Sequence, residues 1–202
     1  MTQRQHRQKT GRRPSTANQP SNPDARLDDQ ADSAYYDGIA AGYDELHAAE
    51  QQGKYSLIFS KLNLAKDDRI LDVGCGTGLL FSFVQGTLGH IPSLCFGIDP
   101  SDGLLARVPQ PFKGNVKRAS AERIPFDDDA FDVVVCVTCL QNMRDPSKAV
   151  EEMRRVGTRT CRFAVSFLKK SPKRALLEGI LLQAFPKAEV IEEEKDIIFI
   201  NS

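Results

Sequence analysis

The residues of this chain whose types and spacing could do chemistry fall in three places. Asp72 stands before Gly74, Gly76 and Gly78 in LDVGCGTGLL, Asp99 ends the run LCFGID, and Cys136 and Cys139 form a C-x-x-C in VVVCVTCLQN. Alternating glycines behind a short apolar run let a backbone turn tightly and approach a ligand. The helix that should follow from Leu79 aims its free N–H groups at the same spot. An acid about 20 residues beyond such a turn is placed to accept from ribose hydroxyls. The first two features therefore point to a nucleotide-like ligand, and the third to redox or metal chemistry.

The spacing separates these readings. A dinucleotide fingerprint needs its third glycine or an alanine at position 79, where this chain has Leu79. Asp72 would also repel a pyrophosphate, whereas it suits a ligand carrying an ammonium group. A nicotinamide-dependent oxidoreductase is thus excluded. As a redox pair, Cys136 and Cys139 should open a helix in a thioredoxin-like unit, and as a zinc site they need two more ligands. The sequence offers neither, so Cys136 is read as strand core and Cys139 as part of the cofactor-side loop, with no metal expected. The acidic run from Asp127 to Asp129 reads as a solvated turn. His6, His47 and His90 fall in a polar tail, a helix and a helix end, and none is assigned to catalysis.

The elements that must position these groups follow from periodicity. Residues 1–30 carry almost no large apolar side chain and read as a disordered tail. Its basic residues Arg4, Arg7, Lys9, Arg12 and Arg13 give it at most a weak contact with nucleic acid. Residues 31–202 form one domain, opened by lid helices within 31–66. There Ile39, Tyr43 and Leu46, then Tyr55, Ile58, Phe59 and Leu62, recur at helical spacing and predict two short helices. Strand-like and helical runs then alternate from RILDVG to KRALLEGILLQAF, and the closing runs AEVIEEE and DIIFINS lie too close for a crossover helix. The expected fold is α/β, a Rossmann-like doubly wound, mostly parallel seven-stranded sheet with a C-terminal antiparallel hairpin.

Composition agrees with a single soluble domain. The chain has 202 residues with 27 basic and 27 acidic side chains, so no global field attracts nucleic acid or membrane. No apolar stretch approaches the roughly 18 residues of a membrane span, and a cytoplasmic location is expected. Its 5 cysteines, at 75, 95, 136, 139 and 161, argue against a disulfide framework.

At this point the sequence resembles the class I S-adenosylmethionine-dependent methyltransferases, over about 39–200, and in particular their compact quinone-biosynthesis-like group. Their first motif is similar to Asp72-Val73-Gly74-Cys75-Gly76-Thr77-Gly78, their second strand to LCFGIDPS, and their adenine loop to SAERIPFDDDAFDVVV. The resemblance implies S-adenosylmethionine as cofactor. It places the methionine end against Asp72, Gly74, Cys75, Gly76 and Gly78, the ribose on Asp99 beside Pro100, and the adenine on Ala121 and Glu122. An aspartate often precedes that alanine; here Ser120 stands there, which leaves the adenine amino contact to Glu122. YDGIAAGYDEL is similar to a lid helix, with Tyr36 and Tyr43 over the cofactor.

In such enzymes the loop after the fourth strand faces the acceptor, often with a histidine pair. Here it offers Gln141 and Asn142 beside Cys139, and amides orient an acceptor but cannot take its proton. Asn142 and Tyr43 are the catalytic candidates. Between the fifth strand and its helix there is no insertion to roof the site, and Lys169, Lys170, Lys173 and Arg174 lie on that rim. The expected function is direct methyl transfer to an undetermined acceptor, whether tRNA, protein or a small quinone-like molecule. Compact members can need a small activator subunit, and the alternative is a non-catalytic subunit that uses the fold to bind a partner.

Overall fold

The computed structural model describes residues 43–89 and 92–202. Seven strands form one sheet: β1 (Ile70–Val73), β2 (Cys95–Asp99), β3 (Val116–Arg118), β4 (Phe131–Cys136), β5 (Gly157–Leu168), β6 (Glu189–Glu192) and β7 (Asp196–Asn201). Their spatial order is β3-β2-β1-β4-β5-β7-β6. The first five run parallel, β7 is antiparallel to β5, and β6 pairs antiparallel with β7. The expected sheet and its terminal hairpin are therefore present.

Burial explains why these runs are strands. All four residues of β1 are buried, and in β4 successive side chains point to opposite faces, yet Val133, Val134, Val135 and Cys136 are all fully buried. Near-continuous apolar strands of this kind require cover on both sides. On one face α1 (Tyr43–Leu62) and α2 (Leu79–Leu88) bring Ile58, Leu62, Leu80 and Phe81 onto Ile70, Val133 and Val135. On the other, α4 (Pro146–Val156) and α5 (Arg174–Ala184) bring Val150, Met153, Leu177 and Leu181 onto Leu71, Val134 and Val165. A short helix, α3 (Asp102–Leu105), follows β2; its N-cap Ser101 accepts from Leu104 N at 3.1 Å. Asp145 caps α4 in the same way, accepting from Lys148 N at 3.0 Å, with Pro146 in the first turn.

One expectation changes. Instead of two short helices, α1 runs unbroken for 20 residues from Tyr43. Gly53 sits in its middle with open space around its Cα, a cost of about 1 kcal/mol relative to alanine. Tertiary packing outweighs that cost, since Tyr55 lies 5.6 Å from the Phe83 ring of α2 and Lys54 is buried against the sheet end. The tail 1–30, Tyr36, Ile39 and His90 lie outside the described residues. Among the described residues no helix is long and apolar enough to cross a membrane.

Candidate functional site

Strand order reverses between β1 and β4, which makes the crevice beyond their carboxyl ends the place for a ligand. A cavity of about 380 Å³ opens there. The turn after β1 forms its floor: Gly74 N and Cys75 N both donate to Ile98 O of β2, at 2.8 and 3.0 Å. Gly74, Gly76 and Gly78 all have positive φ, at 80°, 53° and 83°. At Gly74 the need for glycine is twofold, because a Cβ would also lie 2.8 Å from Cys139 Sγ.

Asp99 closes the next side. Its carboxylate accepts from Gly76 N and from Ser101 N, each at 2.9 Å, so this buried acid fixes the glycine turn as well as facing the cavity. Asp72 lies below the turn at 5% exposure, and burial, reinforced by the charge of Asp99, raises its carboxyl to about 8. A cation beside a buried acid in this state favours its carboxylate.

The loop between β3 and β4, expected to line an adenine, is held from behind. Ile124 N donates to Glu152 Oε2 at 3.0 Å, and Arg155 donates to Ile124 O and Phe126 O, each at 2.9 Å. Phe126 and Phe131 meet edge to face at 5.0 Å, packing the loop into the core. Asp128 of the acidic run pairs with Arg155 at 2.7 Å. Ala121, Glu122 and Pro100 line the cavity. Glu122 is more occupied than expected: one oxygen accepts from Arg144 N at 3.1 Å and Asp145 N at 3.2 Å, and the other from Ser120 Oγ. It ties the loop between β3 and β4 to the loop after β4, with Ser120 at the cavity wall.

The loop after β4 supplies the remaining wall. Thr138 holds a left-handed φ of 56°, a rare conformation for a β-branched residue. Its amide donates to Ser166 Oγ and its hydroxyl to Asp196 Oδ1, both at 2.8 Å, and Lys54 Nζ lies 2.9 Å from that hydroxyl. Cys139 Sγ lies 3.0 Å from Val73 O and 2.9 Å from Cys136 Sγ. Asn142 ends a single 3-10 turn that starts at Leu140, and it lines the cavity.

Of the expected site residues, Gly74, Gly76, Asp99, Pro100, Ala121, Glu122, Cys139 and Asn142 converge on the cavity. Asp72 and Cys75 stand behind that lining: Asp72 is a buried residue of β1, and Cys75, expected to meet the ligand through its backbone, has its side chain against Gly97 and its amide on Ile98 O. Gly78 acts through the backbone at the head of α2. Gln141 is also corrected, since its Nε2 donates to Thr138 O at 2.7 Å and shapes the loop rather than meeting an acceptor. Tyr36 lies outside the described residues, and Tyr43 is the first residue of α1. On the rim, Lys169 and Arg174 face Glu192 and Lys173 Nζ donates to Met143 O, which draws these cations into the protein's own contacts. Thr138 and its buried partners Lys54 and Asp196 were not anticipated. The only sequence signal for them was a lysine within an apolar helix face.

Comparison with known proteins finds a family, curated relatives and solved structures that this chain resembles. The methyltransferase domain family matches residues 71–165. The chain is 38% identical over 100 residues to the ubiquinone/menaquinone biosynthesis C-methyltransferase UbiE of Vibrio parahaemolyticus, covering 44% of this chain and 36% of that protein. It is 30% identical over 142 residues to an uncharacterized methyltransferase of Schizosaccharomyces pombe, covering 62% of this chain and 49% of that one. The match thus spans about half or less of these relatives' lengths. Among solved structures, the complex between the Haloferax volcanii Trm112 methyltransferase activator and its methyltransferase matches with a TM-score of 0.64 at 19% identity, covering 78% of this chain and 77% of that one. A SAM-dependent methyltransferase from Aquifex aeolicus matches with a TM-score of 0.58 at 18% identity, covering 72% and 87%. At these identities the structures speak for the fold.

Proposed function

We propose that this chain, a member of the class I S-adenosylmethionine-dependent methyltransferases, binds that cofactor in the cavity beyond β1 and β4 and transfers its methyl group directly to an acceptor. The carrying observation is the joint placement of two buried carboxylates about one glycine turn. Asp99 at the β2 end faces the cavity with a fixed orientation, and Asp72 below the turn is an acid in want of a cation. A ribose and an ammonium group answer these two needs, and the Gly74 cradle, which a Cβ would fill, lets the backbone come close.

When bound, the cofactor supplies an electrophilic methyl group, so the protein's work is alignment and exclusion of water. Asp99 orients the ribose, Ala121 and Ser120 face the base, and Cys139 supports the turn from below. Asn142 presents an amide at the acceptor side. No histidine, lysine or tyrosine lines the cavity among the described residues. The acceptor in this reading carries its own nucleophilic electron pair or an already acidic proton, as an activated quinol-type ring carbon does. The UbiE-like relatives support a small acceptor of that type. Among the described residues the short connection from β5 to α5 adds no roof to the rim, and the likeness to the Trm112 complex supports a small partner subunit.

The test is calorimetric titration with S-adenosylhomocysteine, followed by incubation with methyl-labelled cofactor and separated tRNA, protein and small-molecule fractions. Saturable binding and label in the small-molecule fraction are expected. Absence of binding with and without partner extracts overturns the reading, and label confined to a macromolecular fraction replaces its acceptor.

A further inference from the structure

Cys136 and Cys139 are not used by methyl transfer, yet the fold places them in contact. Their sulfurs are 2.9 Å apart, both as free thiols. Cys136 is fully buried at the end of β4, whereas Cys139 stands at the head of the 3-10 turn and reaches the cavity wall. The other three cysteines are buried and none lines the cavity. Cys139 also supports the ligand turn: its thiol donates to Val73 O at 3.0 Å and its sulfur fills the space that a Cβ on Gly74 would need.

We propose that Cys136 and Cys139 form a reversible disulfide that switches the cofactor site off, with a hydroperoxide as oxidant entering through the unliganded cavity. The inference rests on the reading of that cavity as the S-adenosylmethionine site. Cys139 attacks the peroxide oxygen and becomes a sulfenic acid while the peroxide leaves as an alcohol or, from hydrogen peroxide, as water. The Cys136 thiol then attacks the Cys139 sulfur and displaces water. Two electrons pass from the dithiol to the peroxide, and two thiol protons end in the products. Cys136 cannot be the first target because it has no exposure, which fixes the order of the two steps.

Both consequences follow from position. The disulfide removes the thiol proton that Cys139 gives to Val73 O and draws its sulfur toward β4, so the floor beneath Gly74 is withdrawn. Affinity for the cofactor falls. By linkage, a bound ligand must oppose disulfide formation by the same factor, and it also covers the oxidant's path. Contact with Cys136, burial and the nearby carboxylates hold Cys139 as the thiol, so the pair stays reduced against weak oxidants.

The experiment treats the full chain with hydrogen peroxide, with and without saturating S-adenosylhomocysteine, and reads three quantities. Intact mass should show loss of two hydrogens, and non-reduced peptide mapping should join Cys136 to Cys139. Affinity for S-adenosylhomocysteine should fall by about tenfold or more, a change of roughly one decade in Kd, and return after dithiothreitol. Bound S-adenosylhomocysteine should slow the cross-link. Cys136→Ala should bind the ligand like the parent when untreated and should lose the dithiothreitol-reversible mass change. Oxidation spread over other cysteines without this cross-link overturns the proposal, as does a cross-link that leaves affinity unchanged. Because the cross-link is read by mass without ligand, its absence is distinct from failure of the reduced chain to bind, which would instead overturn the cofactor reading.

Discussion

Lys54 Nζ of α1 lies 2.6 Å from Asp196 Oδ2 at the start of β7, with side-chain exposures of only 7% and 0%. The pair is more than a strut. Asp196 also accepts from Thr138, whose left-handed backbone forms part of the cavity wall, and Lys54 touches the same hydroxyl. Glu50 joins the cation from one turn away at 2.9 Å. Removing Lys54 leaves a buried carboxylate without a counter-charge, so Lys54→Ala should cost about 3–5 kcal/mol of stability. Cofactor affinity should fall as well, because Thr138 loses its anchor. Urea unfolding and calorimetry check both. A paired replacement, Lys54→Met with Asp196→Leu, should recover most of the stability but not the affinity.

Asp99 is predicted to matter twice. Asp99→Ala removes the proposed ribose acceptor and, with it, the acceptor for Gly76 N and Ser101 N. Hydrogen bonds to a charged group are worth about 1.5–3 kcal/mol, so affinity for S-adenosylhomocysteine should drop roughly tenfold to a hundredfold. Ser101→Ala is the control: it loses the α3 cap, costing about 0.5–2 kcal/mol of stability, while the ribose acceptor stays. Equal affinity losses in the two variants would mean that Asp99 acts only through the fold.

What could be read from sequence here is what local backbone chemistry dictates. Asp72, Gly74, Gly76 and Asp99 belong to a strand, a tight turn and the next strand end, and each is required by the conformation of a few neighbouring residues. Lys54 and Asp196 were invisible for the opposite reason, since only the packed sheet brings a mid-helix lysine to the head of the last strand. The single helix α1 replaces the expected pair because the stretch from His47 to Lys54 interrupts the apolar period, whereas tertiary contacts on either side of it decide. Gln141 departs from its expected place because its side-chain direction, which sequence position does not specify, takes its amide back to Thr138 O.

Asp72 predicts a proton coupled to binding. Burial, then the charge of Asp99, raises its carboxyl to about 8, so at neutral pH the unliganded protein holds it mostly protonated. An arriving ammonium favours the carboxylate, and a proton is released. Calorimetry at pH 7 in buffers of different ionisation enthalpy should show that release, and Asp72→Asn should abolish it. The stability sign follows: the folded value lies above the ordinary 3.8, so the folded state holds the extra proton between those limits. The unliganded chain should therefore lose this contribution as pH rises from about 4 to about 8, and saturating ligand should flatten the loss. A binding enthalpy independent of buffer would show that Asp72 does not meet the cation.

Glu122 and Ser120 are coupled, because the Ser120 hydroxyl donates to one oxygen of Glu122. The Ser120 hydroxyl donates to Glu122 Oε2 and accepts from Glu122 N at 3.4 Å, which leaves it one further lone pair at the cavity wall for the amino group of the proposed adenine. Glu122, with its second oxygen on Arg144 N and Asp145 N, holds the loop that carries Asn142. Ser120→Asp would therefore set a second carboxylate against Glu122 instead of improving the contact, and affinity should fall. Glu122→Gln alone should weaken binding modestly, since its amide keeps one oxygen for the loop. Combined, the two substitutions should bind better than Ser120→Asp alone, because like charge is removed. A double-mutant cycle in cofactor affinity reads that coupling directly, and additive losses would mean that Ser120 and Glu122 serve the site independently.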